Sequence, residues 1–132
     1  MVHSHMFFIM ILSGFLSTMN VSVDKIEDIR FSINDVYMTF LMSGWMFLFM
    51  GIVYKEISVF FIGFTLVVFN IWCIRTQFLV NTTQYKLGMI PHHSMAVHIS
   101  KKLLERGDSN ITPFIQNIIK TQENEILFLK KE

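Results

Sequence analysis

The sequence has little charge and almost no cysteine. Asp, Glu, Lys and Arg make up 16% of the 132 residues, against roughly 25% in an ordinary soluble domain. A disordered chain is excluded, because that class combines low hydrophobicity with high net charge. The single cysteine, Cys73, excludes a disulfide scaffold and a cysteine-caged zinc site. A net charge of +1 offers no basic stripe, so no nucleic-acid partner is expected. Catalytic signatures are missing too. There is no Glu-x-x-His pair of the di-iron bundles, no HExxH, no phosphate loop and no nucleophile elbow. The expectation is a protein that is not an enzyme.

What the sequence does have is apolar bulk. Hydrophobic residues make up 52%, with 14 Phe and 10 Met, and the mean hydropathy is +0.48. The charges are unevenly placed. Residues 31–74 carry only Asp35, Lys55 and Glu56, whereas residues 87–132 carry eleven. An apolar front is followed by a charged tail.

Three apolar runs occupy the front, at about 6–23, 36–54 and 57–74. A membrane span needs about twenty mostly apolar residues, and the second and third runs qualify. Tyr37 and Tyr54 stand near run ends, where interfacial aromatics are usual. Lys55 and Glu56 leave room only for a tight turn, so these two spans form an antiparallel hairpin. The first run has no Lys or Arg before it and no small-x-small cleavage site, which favours a retained span over a signal peptide. Residues 24–35 then form a polar loop joining spans one and two. Gly44, Gly51 and Gly63 read as ordinary small residues of the spans. Residues 1–80 are thus expected to form a membrane domain in the lipid bilayer.

Residues 81–132 read as a helical hairpin. Asn81-Thr82-Thr83-Gln84 is a helix start with a capping side chain, and Gly107 is a left-handed cap after Arg106. Asp108-Ser109-Asn110 is a turn. Thr112 caps a second helix with Pro113 at its first position, and that helix runs to about Lys131. Its apolar stripe is Ile115, Ile118, Ile119, Gln122, Ile126 and Leu129. Two helices of this size cannot bury a sufficient core alone. A second copy is expected to cover them, giving a homo-oligomer through the hairpin. Lys101, Lys102, Glu105, Arg106, Lys120, Glu123, Lys130 and Lys131 form its wet face.

One segment carries chemistry: Met89-Ile90-Pro91-His92-His93. At about 100° per residue, His92 and His93 flank Met89 by roughly 60° and 40°. All three converge on the face expected to pack, and His98 lies on the opposite side. A thioether with two imidazoles suits Cu(I) or Ag(I), with zinc as a further option. Pro91, one turn inside the helix, frees the Leu87 carbonyl beside the pair. Counting back from the turn puts Gln122, Glu125 and Leu129 opposite, where Gln122 or Glu125 would hold the second nitrogen of a ligating histidine. Met38, Met42, Met46 and Met50 recur every fourth residue in span two, either as a sulfur ladder or as plain packing. His3 would offer an amino-terminal Cu(II) site if Met1 is kept.

The stretch YKLGMIPHHSMAVHIS, followed by TQENEILFLKK, resembles the family called domain of unknown function 305. Members carry an M-I-x-H-H core on one helix and a Q-x-x-E-I ending on the next. Three spans followed by MIPHHS resemble its membrane-anchored branch. The resemblance implies a ferritin-like helical bundle, of which this hairpin would be half, with Met89, His92 and His93 in a metal-binding core. Two positions depart from the pattern, where Ile99 and Leu129 stand in place of methionines. The resemblance also implies a hairpin on the non-cytoplasmic side. The Lys and Arg count points the other way, since Lys25, Arg30, Arg75 and Lys86 fall on the tail's side and only Lys55 opposite. That count rests on few residues, so the non-cytoplasmic placement is the expectation. The fold expected is therefore all-α, with three transmembrane helices and an extramembrane helical hairpin. The function expected is soft-metal binding for tolerance or homeostasis, with a purely structural assembly module as the alternative.

Overall fold

The computed structural model describes residues 2–107 and 110–131, with side chains from Ser4 onward. Among these every regular element is helical: α1 (Val2–Leu16), α2 (Ile33–Val53), α3 (Ile57–Thr76), α4 (Thr82–Arg106) and α5 (Thr112–Lys130). Short 3-10 turns lie at Met19–Ser22 and Ile26–Asp28. The chain forms two compact units. One holds α1, α2 and α3, and the other holds residues 19–32 with α4 and α5.

The first unit is apolar on its outside as well as its inside. Segments Ser4–Ser22, Ile33–Val53 and Ile57–Thr76 are each long and apolar enough to cross a membrane. Side chains such as Phe8, Phe49, Ile57 and Phe69 are more than half exposed, a surface that suits hydrocarbon and not water. By length and composition this is a membrane protein. The α2–α3 turn is as tight as expected. Lys55 takes a left-handed φ of 58°, and the Glu56 amide donates back to the Gly51 carbonyl at 2.9 Å.

The three glycines of this hairpin are not ordinary. A Cβ on Gly63 would strike the Leu48 backbone nitrogen and the Gly44 carbonyl. One on Gly51 would strike the Phe60 backbone, and one on Gly44 would meet Leu66 Cβ at 2.9 Å. Without a hydrophobic drive between helices in lipid, close backbone approach through small residues supplies the packing. The sequence reading missed this because the three do not follow a four-residue repeat. Tyr37, near the start of α2, is buried, and its hydroxyl donates to the Phe78 carbonyl just past the end of α3. Met10, Phe47 and Val59 form the core with α1, and Phe7 stacks on Phe47 at 5.7 Å between centroids.

The first apolar run differs from its expected outline. Regular helix stops at Leu16, and Asn20 turns to clamp Arg30. Asn20 Nδ2 donates to the Arg30 carbonyl at 2.8 Å, and the Arg30 amide donates to Asn20 Oδ1 at 3.0 Å. That two-point clamp closes residues 20–30 into a loop that belongs to the second unit.

In that unit α4 and α5 pack side by side. The caps follow the sequence: Asn81 Oδ1 accepts from the Gln84 amide at 2.9 Å, and Gly107 closes α4 with φ 67°. α4 is continuous through Pro91. Thr112 is the first helical residue and not the cap, which is Ile111, so Pro113 stands one place further in. Of the expected turn at Asp108-Ser109-Asn110, only Asn110 lies within the described residues. Ile90, Val97 and Ile126 make the core, with Ile119 and Leu129 against it.

Candidate functional site

The polar heart of the second unit is a network centred on Ser94. Ser94 is fully buried on α4. Its Oγ donates to Asp28 Oδ2 at 2.6 Å and accepts from the Asp24 amide at 2.8 Å. Lys130 from the end of α5 donates to the other oxygen of Asp28. Lys101 donates to Asp24 Oδ2 at 2.9 Å. Asp28 is 3% exposed. Burial alone would raise its pKa, but the hydrogen bonds from Lys130 and Ser94 and the Lys130 charge outweigh it and hold the carboxyl below its usual range. Lys101 and Lys130 are therefore not part of a uniformly wet face. The buried carboxylate of Asp28 must be paired, and Lys130 is the cation within reach.

This network decides which face of α4 is inside. The buried positions are Ile90, Pro91, Ser94, Val97 and Ser100, because residues 19–32 cover one flank and α5 the other. The face centred on Met89 is rotated away from them. His92 lies about 200° around the helix from Ile90 and is exposed. His93, on the border, is half-buried, and Met89 is half-buried one turn before the pair. The expected convergence of Met89, His92 and His93 on the packed face thus gives way to a split arrangement. The two imidazole centroids are 6.1 Å apart with their planes at 76°.

Each histidine has its own neighbour. His93 Nδ1 is 2.9 Å from Glu125 Oε2, the residue that counting from the turn placed opposite. The contact is one of proximity and charge, and this buried ring nitrogen has no hydrogen-bond partner among the described residues. Burial lowers the His93 pKa, the Glu125 carboxylate partly restores it, and the His92 ring lowers it again. The net direction is down, which favours the neutral ring. His92 Nδ1 lies 3.4 Å from the Met19 sulfur. Met19 was legible only as part of the first apolar run, and nothing in the sequence marked it as a neighbour of His92. Two donors 73 positions apart in sequence meet there.

The donor chemistry separates metal classes. Among the described residues no three His, Cys, Asp or Glu side chains gather as one group, so one chain offers no closed hard-ligand cage of the zinc type. Met19 and His92 are a thioether and an imidazole in contact, donor types that Cu(I) or Ag(I) takes. The methionines of α2 are placed differently. Met38, Met42 and Met46 are exposed on the outside of their unit, and Met50 packs against its core. Cys73 is buried and unpaired by disulfide. His98 is half-buried, and the His3 side chain lies outside the described residues.

Comparison with known proteins agrees with the motif. The family model described as "Domain of unknown function (DUF305)" matches residues 81–131. A protein described as "Uncharacterized protein L153" of Acanthamoeba polyphaga mimivirus is 40% identical over 124 residues, covering 87% of this chain and 80% of its own. No solved structure matches.

Proposed function

This chain belongs to the family of the domain of unknown function (DUF305), and on that premise we propose that it binds a soft monovalent cation, Cu(I) or Ag(I), in metal tolerance or homeostasis. The observation that carries the reading is the 3.4 Å approach of the Met19 sulfur to His92 Nδ1. Both side chains are at least one-third exposed, so an ion can reach them. Met19 supplies a thioether on a chain that has Ile99 and Leu129 where its family carries methionines. His93 adds an imidazole, and a hydrogen bond formed from its Nδ1 to the adjacent Glu125 on metal binding would orient the ring and leave Nε2 for the ligand. Met89 completes the set from the preceding turn. The bound ion would supply storage or hand-over of the metal and no bond-making step, and the proposal includes no enzymatic activity. A second copy docked through the hairpin would share or double the site. The hairpin is placed on the non-cytoplasmic side.

Anaerobic Cu(I) titration of the full chain in detergent against a competing chelator tests this. Tight binding that is lost in a Met19→Leu/His92→Ala variant is the expected result. Equal affinity in both proteins contradicts it and leaves the hairpin as an assembly module. The ratio of metal to chain tells a shared site from a private one.

A further inference from the structure

A second site lies in the same unit, built from different residues. At the ends of α4 and α5, a cleft of about 450 Å³ is walled by Arg30, Lys86 and Lys131 over a floor of Leu87, Ile90 and Leu129. Lys130 also lines it, but its charge is taken by Asp28 and, at 3.7 Å, by Glu27. Among the described residues none of the other three cations pairs with a carboxylate. Arg30 Nη1 donates to the Glu27 and Ile29 carbonyls at 2.7 and 2.8 Å, which fixes the guanidinium and leaves its other nitrogens unengaged. Lys86 donates only to the Lys131 carbonyl at 3.2 Å. Among the described residues, then, three cations without a carboxylate partner surround an apolar floor.

We propose that this cleft binds the phosphate-bearing headgroup of an anionic phospholipid. Three observations select that occupant. The first is charge, since a phosphate would offset cations that no described carboxylate offsets. The second is the apolar floor, which a free inorganic anion does not need and the glycerol and upper acyl carbons of a lipid would cover. The third is chain connectivity. Arg30 stands three residues before Ile33, the first residue of α2. Three residues of chain span at most about 11 Å, so the chain itself tethers Arg30 to the start of a helix long and apolar enough to cross a membrane. Basic pockets beside spans are a recurrent way of recognising such lipids. The inference does not depend on the metal reading, because it uses none of the same residues.

The test is native mass spectrometry of the full chain in a neutral detergent, offered equal amounts of phosphatidylglycerol and phosphatidylcholine. Wild type is expected to retain phosphatidylglycerol preferentially. Arg30→Gln/Lys86→Gln/Lys131→Gln is expected to reduce that preference by roughly tenfold or more. A control variant, Lys102→Gln/Arg106→Gln/Lys120→Gln, removes as much charge elsewhere on the unit and should keep the preference. Circular dichroism checks the helix content of each protein. If the triple variant does not fold, the exposed single change Lys131→Gln should still lower the preference. Any of three results overturns the proposal: no preference in wild type, equal loss in the control variant, or displacement of the lipid by inorganic phosphate. The last would identify a free-anion site.

Discussion

Ser94 Oγ on α4 donates a 2.6 Å hydrogen bond to Asp28 Oδ2 in the loop between the first two apolar segments. These residues are 66 positions apart in sequence, and both are almost fully buried. The contact ties residues 19–32 to the C-terminal helices, and that tie brings Met19 to His92. Ser94→Ala would remove a donor from a buried carboxylate and an acceptor from the Asp24 amide. A loss of about 1–3 kcal/mol is expected. Hydrogen exchange of the Asp24 amide should accelerate in the variant, and unchanged protection there would show that Ser94 does not hold the loop.

Asp28 makes stability depend on pH. Its folded pKa lies below the unfolded value, so the folded state binds fewer protons. The contribution is present above the unfolded carboxylate range and is lost as pH falls through the folded pKa. Lys130→Met removes the main partner that offsets burial and should move the Asp28 pKa upward. The variant should therefore lose stability chiefly at neutral pH, with the gap from wild type closing as Asp28 is protonated on acidification. Unfolding of wild type and variant at a series of pH values, followed by circular dichroism, measures the gap. A gap that widens as pH falls would contradict the assignment.

His93 is lowered by burial and partly restored by the Glu125 carboxylate. Glu125→Gln removes the restoring charge, so the His93 pKa should fall further. Side-chain NMR titration would follow it. A rise in the variant would mean that Glu125 does not face the ring in solution. Cu(I) competition should also weaken, because the carboxylate no longer orients the imidazole. A loss of about 10–100-fold is usual for such outer-shell partners.

Gly63 tests the membrane unit. A side chain there meets backbone on the facing helix, which cannot rotate away as a flexible tip would. Gly63→Val should destabilise the α2–α3 pair by at least about 1–3 kcal/mol. Gly107→Ala, by contrast, meets no atom within 4 Å but sits at φ 67°. It should cost only the smaller penalty of a left-handed residue, roughly 1–2 kcal/mol. Thermal unfolding in detergent ranks the two, and a larger loss for Gly107→Ala would contradict the packing account.

The sequence made local features readable and left long-range ones hidden. The Asn81 and Gly107 caps, the Lys55-Glu56 turn and the Ile115-to-Leu129 stripe depend on neighbours within a few positions, and all are present. The count from the turn even placed Glu125 opposite the histidine pair. The rotation of α4 was not readable, because it is set by a loop whose position depends on contacts such as Ser94 with Asp28. For the same reason Met19 was hidden. An apolar run of suitable length gives no sign that its last turn leaves the helix. Lys101 and Lys130 looked solvated because their partners, Asp24 and Asp28, lie more than seventy residues away.

The pairing of Met19 with His92 carries the functional account, and copper K-edge X-ray absorption of the Cu(I)-loaded full chain addresses it directly. A first shell containing both sulfur and imidazole nitrogen is predicted, with the sulfur signal reduced in Met19→Leu and the imidazole signal reduced in His92→Ala. A shell of nitrogen and oxygen alone, the same in wild type and Met19→Leu, would contradict the account.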